Sequence, residues 1–69
     1  MELKELESAL EGVLFASGEP VAVERLCLGL EVDRPTLDAV AQRLMDQYSY
    51  ERRGIRLIKL DTSYQLCSA

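Results

Sequence analysis

Histidine and tryptophan are absent from this 69-residue sequence, and phenylalanine occurs once. Losing histidine removes the side chain that most often serves as a general base or metal ligand near neutral pH. A nucleophile here would need a carboxylate or a lysine as its base. The hydroxyls of Ser8, Ser17, Thr36, Ser49, Thr62, Ser63 and Ser68 stand in no motif that supplies one. Glu19, between Gly18 and Pro20, is the one carboxylate that invites a general-base reading. A useful base needs a pocket with perturbing neighbours, for which so short a chain has little room. An enzyme is not expected.

Cysteine is scarce. Cys27 and Cys67 stand forty positions apart with no Cys-x-x-Cys pair, so zinc would have to recruit scattered carboxylates. No metal and no cofactor is expected. A Cys27–Cys67 disulfide stays open on sequence grounds. However, the opening Met-Glu-Leu-Lys-Glu is no signal peptide, and no apolar run approaches membrane-spanning length. The expectation is a cytoplasmic protein with reduced thiols and no membrane contact, both cysteines serving as small buried residues. Glycine is also sparse, with four in the chain, and Ser17-Gly18-Glu19-Pro20 lacks the glycines and the Lys-Ser/Thr of a phosphate-binding loop. It also follows a helical pattern rather than a strand. It reads as a helix stop.

Positive charge is the minority: 8 Lys and Arg against 12 Asp and Glu give a net charge of −4. Phosphate contacts dominate nucleic-acid affinity, so the chain lacks a general attraction to DNA. Protein partners are the better expectation. The apolar fraction of 48% is that of an ordinary globular domain, and the length allows one domain spanning 1–69.

What is present is periodic. Leu3, Leu6, Leu10, Val13 and Leu14 fall on one stripe of a helix over 2–17, with Glu2 and Glu5 near its positive end. Gly18 is placed to end it in a left-handed conformation, and Pro20 disfavours helix at Glu19. A second helix over 23–30 carries Val23, Leu26, Cys27 and Leu30. Its N-cap position, Ala22, has no side-chain acceptor, a loss of about 1 kcal/mol. Asp33 caps a third helix over 34–48, whose stripe is Leu37, Val40, Ala41, Leu44, Met45 and Tyr48. The period then changes. Ile55–Leu60 reads as a strand whose alternation slips at Leu57-Ile58, which predicts a bulge or a strand covered on both faces. Asp61-Thr62-Ser63 is a turn, and residues 64–67 return as a second strand. This order predicts a mainly α winged helix with a small β-hairpin: three helices followed by a two-stranded wing. Its termination directly after the wing suggests the first module of a longer protein.

A winged helix commonly lays its third helix in the DNA major groove. Here the exposed face would offer Arg34, Asp38, Gln42, Arg43, Asp46 and Gln47, two cations against two anions. Gln42, Arg43 and Gln47 are the nominal base readers. A basic cluster, Arg52, Arg53, Arg56 and Lys59, marks the base of the wing. It is either a solvated face or a weak nucleic-acid contact. Direct DNA binding by this domain alone is not expected.

Gly12 lies mid-helix, where glycine costs about 1 kcal/mol relative to alanine. It falls opposite the leucine stripe, in a row of small residues with Ser8 and Ala16, and Phe15 projects beside them. Such a face admits another helix closely. Either a helix of the same domain fills it, or Ser8, Gly12, Phe15 and Ala16 form an interface with another chain.

These residues also carry a resemblance. "ALEGVLFASGEPVAVERL", the third helix from Leu37 to Tyr48, "RRGIRLIKL" and "YQL" are together similar to the N-terminal winged-helix domain of the segregation and condensation protein B (ScpB) family. The landmarks Ser17-Gly18-Glu19-Pro20, Arg53-Gly54-Ile55 and Tyr64-x-Leu66 fall at the family's separations. Ala22 replaces the usual hydroxyl cap, and Asp61-Thr62-Ser63 replaces a glycine-containing wing turn. The resemblance implies a non-enzymatic accessory subunit of bacterial condensin, a cytoplasmic protein with two tandem winged helices that dimerises through the first. It also implies binding to the kleisin ScpA and, through it, to the SMC ATPase, in chromosome condensation and segregation. A DNA-binding winged-helix regulator is the alternative.

Overall fold

Helix α1, Leu3–Ser17, begins where the Glu2 amide donates to the Glu5 carboxylate (3.3 Å), an arrangement that satisfies an otherwise orphaned donor. It ends at Gly18, left-handed at φ 68°, whose N–H donates to the Leu14 carbonyl. The stop expected from Ser-Gly-Glu-Pro is therefore made by the glycine's positive φ. The computed structural model describes residues 2–69.

After the stop, Val21–Ala22 forms a two-residue strand, β1, and leads directly into α2, Val23–Leu30. The missing cap at Ala22 is made good from a distance. The Val23 N–H donates to the Thr62 carbonyl in the wing turn (2.8 Å). Asp33 then caps α3, Arg34–Tyr50, by accepting from the Thr36 N–H at 3.0 Å. That helix runs two residues past the expected end at Tyr48, because Ser49 and Tyr50 carry no breaker. It stops where Arg52 turns left-handed (φ 52°) and the Arg53 N–H reaches back to the Tyr48 carbonyl.

The wing is β2, Ile55–Leu60, paired antiparallel with β3, Ser63–Ser68. Its register runs unbroken from Ile55 opposite Ser68 to Leu60 opposite Ser63. There is no bulge at Leu57-Ile58. Leu57 is buried in the core, and Ile58, projecting from the other face, is half-buried. Strand β1 adds to the free edge of β3, giving a three-stranded sheet in the order β1-β3-β2. This is a winged helix with one short strand more than the expected two.

One core unites the elements. Leu6, Leu10 and Leu14 of α1 meet Leu26 of α2, Leu37, Val40 and Leu44 of α3, and Leu57 and Tyr64 of the sheet. Leu3 and Val13, read as part of the α1 stripe, lie at its margins with more than 40% of their surface exposed. The buried row is narrower than the apolar row because α1 is covered from one side only. Cys27 and Cys67 are free and half-buried.

Leu10 is fully buried. Its replacement by alanine is expected to cost about 2–5 kcal/mol, against the roughly 3–5 kcal/mol that a core this small supplies. Leu10→Ala should therefore lose most of its helical circular dichroism at room temperature, with urea titration giving the size of the loss.

Candidate protein-interaction surfaces

The outer face of α1 is open. Ser8, Gly12, Phe15 and Ala16 are all exposed, and a Cβ built on Gly12 would meet nothing within 4 Å. Ser8 borders a polar groove with Leu44 and Gln47 of α3, but the space above Gly12 is empty, so the glycine is not serving a close approach inside the domain. Phe15 is 78% exposed, an unusual state for the chain's one phenylalanine. It borders a shallow apolar groove of about 220 Å³ between the end of α1 and the wing, floored by Leu14, Ile55, Leu66 and Cys67. Leu28 and Tyr50 are exposed as well, on other elements.

The polar side of α3 is arranged quite differently from a DNA-reading helix. Arg43 Nε donates to Glu7 Oε2 (2.5 Å) and Gln47 Nε2 to Glu7 Oε1 (3.1 Å). Glu7 is only 6% exposed. Arg34 pairs with Asp38 (3.3 Å) and Gln42 donates to Asp46 (3.0 Å). Each nominal base reader is thus engaged within the chain. Glu7 shares the three-and-seven spacing of Leu10 and Leu14, which puts its carboxylate on the buried row of α1.

Two buried tyrosines extend this network. Tyr64 Oη donates to Asp38 Oδ1 (2.7 Å), and Tyr48 Oη donates to Glu11 Oε1. Burial first, and then the facing carboxylate, raises the pKa of both phenols above the ordinary tyrosine range. On the acidic side, Glu7 is held below its ordinary pKa chiefly by the Arg43 hydrogen bond, against the opposing effect of burial. Asp38 is lowered chiefly by the Tyr64 hydroxyl, and Asp33 by its bonds to Thr36.

The basic cluster at the wing is divided. Arg53 donates to Glu51 (2.6 Å), lies 4.0 Å from Glu11, and stacks over the Tyr48 ring. Lys59 lies 4.0 Å from Asp38 and over Tyr64. Among the described residues no carboxylate lies within 4.0 Å of Arg52 or Arg56. Two of the four cations are therefore already partly compensated. Among the described residues no group of three or more His, Cys, Asp or Glu is placed to hold a metal ion, and no helix is long and apolar enough to cross a membrane.

A family model for the "Segregation and condensation complex subunit ScpB" matches residues 8–69. Segregation and condensation protein B of Lachnoclostridium phytofermentans is 43% identical over 68 residues, covering 99% of this chain and 36% of that protein. The protein of the same name from Acetivibrio thermocellus is 39% identical over 69 residues, covering 99% and 35%. The chain thus spans little more than a third of the length of these relatives. Among solved structures, a dimer of an ScpB N-terminal domain complexed with an ScpA peptide superposes with a TM-score of 0.90 at 29% identity. It covers 97% of this chain and 84% of that one. ScpB from Mycobacterium tuberculosis superposes at 0.92, covering all of this chain and 43% of its own, and at 22% identity it shows likeness of fold alone.

The depressed carboxylates set an acid limit to stability. Their folded pKa values lie below the unfolded ones, so the unfolded chain binds protons first. Their stabilising contribution is present above about pH 4.5, the ordinary value for Glu7, and is lost as pH falls through the folded values. The melting temperature should drop between pH 5 and pH 3, a window set by the ordinary carboxylate range. Glu7→Gln should show a smaller drop over that window, read by thermal circular dichroism.

Proposed function

The chain belongs to the ScpB family, and on that footing we propose that it is a non-enzymatic protein-interaction module of a bacterial condensin accessory subunit. It dimerises with a second copy, binds the kleisin ScpA and through it joins SMC, acting in the cytoplasm in chromosome condensation and segregation. It is the first of two winged-helix domains in this reading. Its coverage of the relatives and its likeness to an N-terminal domain support that placement.

The observation that carries the reading is the outer face of α1. A mid-helix glycine with empty space above it and a phenylalanine 78% exposed serve nothing within the domain. A contiguous apolar patch on a small domain marks an interaction site. The row Ser8, Gly12 and Ala16 gives a smooth surface on which another chain approaches closely, and Phe15 supplies a rigid anchor of the kind that dominates interfaces. The groove beside Phe15 widens the patch towards the wing. The DNA-binding alternative has no such support. The polar side chains of α3 are bonded within the chain, and the net charge is −4.

Phe15→Asp is expected to dissociate the dimer in sedimentation velocity while leaving helical circular dichroism intact, since the side chain is exposed. A wild-type chain that sediments as a monomer at every concentration would sink the dimer assignment. Light scattering of the chain with and without the central region of ScpA tests the second contact. A mass unchanged on mixing would remove the kleisin from the reading.

A further inference from the structure

Between α1, β1 and α2 lies a small pocket of about 150 Å³, separate from the groove beside Phe15. Buried Leu26 and Leu30 give it an apolar floor, and Val13 of α1 and Val21 of β1 complete its apolar lining. Two exposed residues of α2, one turn apart, finish it: Arg25 and Gly29. Among the described residues no carboxylate lies within 4.0 Å of Arg25. Its neighbour Glu24 leaves the helix on a different face, as consecutive helical residues do. Gly29 is one of the poorest helix formers in a helix of only eight residues. A Cβ built on it would meet nothing within 4 Å, so no close approach inside the domain requires it. What its missing side chain leaves open is the mouth of the pocket.

We propose that this pocket binds a small apolar monocarboxylate, its tail on the Leu26–Leu30 floor and its carboxylate on the Arg25 guanidinium. Size sets the tail. The space equals about five water molecules at ~30 Å³ each, room for about four or five carbons and too small for a drug-sized ligand. Charge sets the head. The guanidinium is the one ionic group among the lining residues, and its planar fork pairs with a carboxylate through two hydrogen bonds. A phosphate dianion would hold its second charge unpaired against apolar walls, and a neutral chain would leave Arg25 unused. In a chain of net charge −4, an arginine without a carboxylate beside an apolar hollow is a local exception that selects an anion. The pocket shares no residue with the face of Ser8, Gly12, Phe15 and Ala16, so its occupancy is a property apart from the function proposed above.

The test is a titration of isovalerate (3-methylbutanoate) into the isotopically labelled chain, followed by amide chemical shifts at constant pH and ionic strength. Saturable shifts at Val13, Val21, Leu26, Gly29 and Leu30 are expected, with a dissociation constant in the millimolar range for so few ligand atoms. Acetate, which lacks the tail, and 3-methylbutan-1-ol, which lacks the charge, should each bind about fivefold more weakly or worse. Arg25→Gln should weaken isovalerate by a similar factor. Gly29→Leu, whose side chain would fill the mouth, should abolish the shifts. Both substitutions fall at exposed positions, so circular dichroism should stay unchanged. A wild type without saturable shifts at these amides overturns the site. Equal affinity for the alcohol, or of Arg25→Gln for isovalerate, overturns the carboxylate, and undiminished binding by Gly29→Leu overturns the pocket.

Discussion

A carboxylate confined between two helices cannot be left unpaired, because its desolvation exceeds anything the surrounding packing returns. Glu7 is such a group, and its requirement organises the polar side of the domain. It faces α3 from the buried row of α1 and draws Arg43 and Gln47 inward across the helix pair. This fixes the register of α1 against α3. It also consumes the two side chains of α3 best suited to reading a base edge. Having committed its inner row to that contact, α1 turns its opposite face to solvent. The open surface at Phe15 is thus the counterpart of the clamp at Glu7.

The same constraint explains how a winged helix comes to be a poor match for DNA without any change of fold. Architecture alone does not decide function. What decides is the supply of uncommitted cations, and here Arg34, Arg43, Arg53 and Lys59 each have a carboxylate within 4.0 Å. The phenols of Tyr48 and Tyr64 add hydrogen bonds to Glu11 and Asp38. The surface that remains is apolar at α1, and both apolar and basic beside the wing.

Much of this was legible in the residue pattern. The bounds of α2 and β2, the left-handed stop at Gly18 and the cap at Asp33 follow from local chemistry that the tertiary structure leaves unaltered. Helical geometry puts Ser8, Gly12, Phe15 and Ala16 away from the leucine row, but which side of α1 the other helices cover is decided by tertiary packing. What escaped depends on contacts between distant residues. Strand β1 is two residues long, too short for any period to register. Glu7 is polar, so an apolar stripe passes over it, although its position lies on the leucine row. Leu3 and Val13 were sorted by hydrophobicity, although the row they extend is wider than the surface that covers it. The division of the basic cluster depends on where Glu11, Glu51 and Asp38 end up, and no linear spacing encodes that. The pocket between α1, β1 and α2 is likewise made by the packing of these elements.

Helix α2 has eight residues, and its first amide is held by the carbonyl of Thr62, thirty-nine positions further along the chain. A helix that short is marginal by itself. Its first turn is completed only when the hairpin has closed and swung against β1. The start of the helix and the turn of the wing are therefore coupled through one long-range hydrogen bond. The amide of Val23 exchanges with solvent when the wing opens, and its protection measures how tightly the last strand of the domain is held. Any partner that grips the wing thereby steadies the start of the second helix.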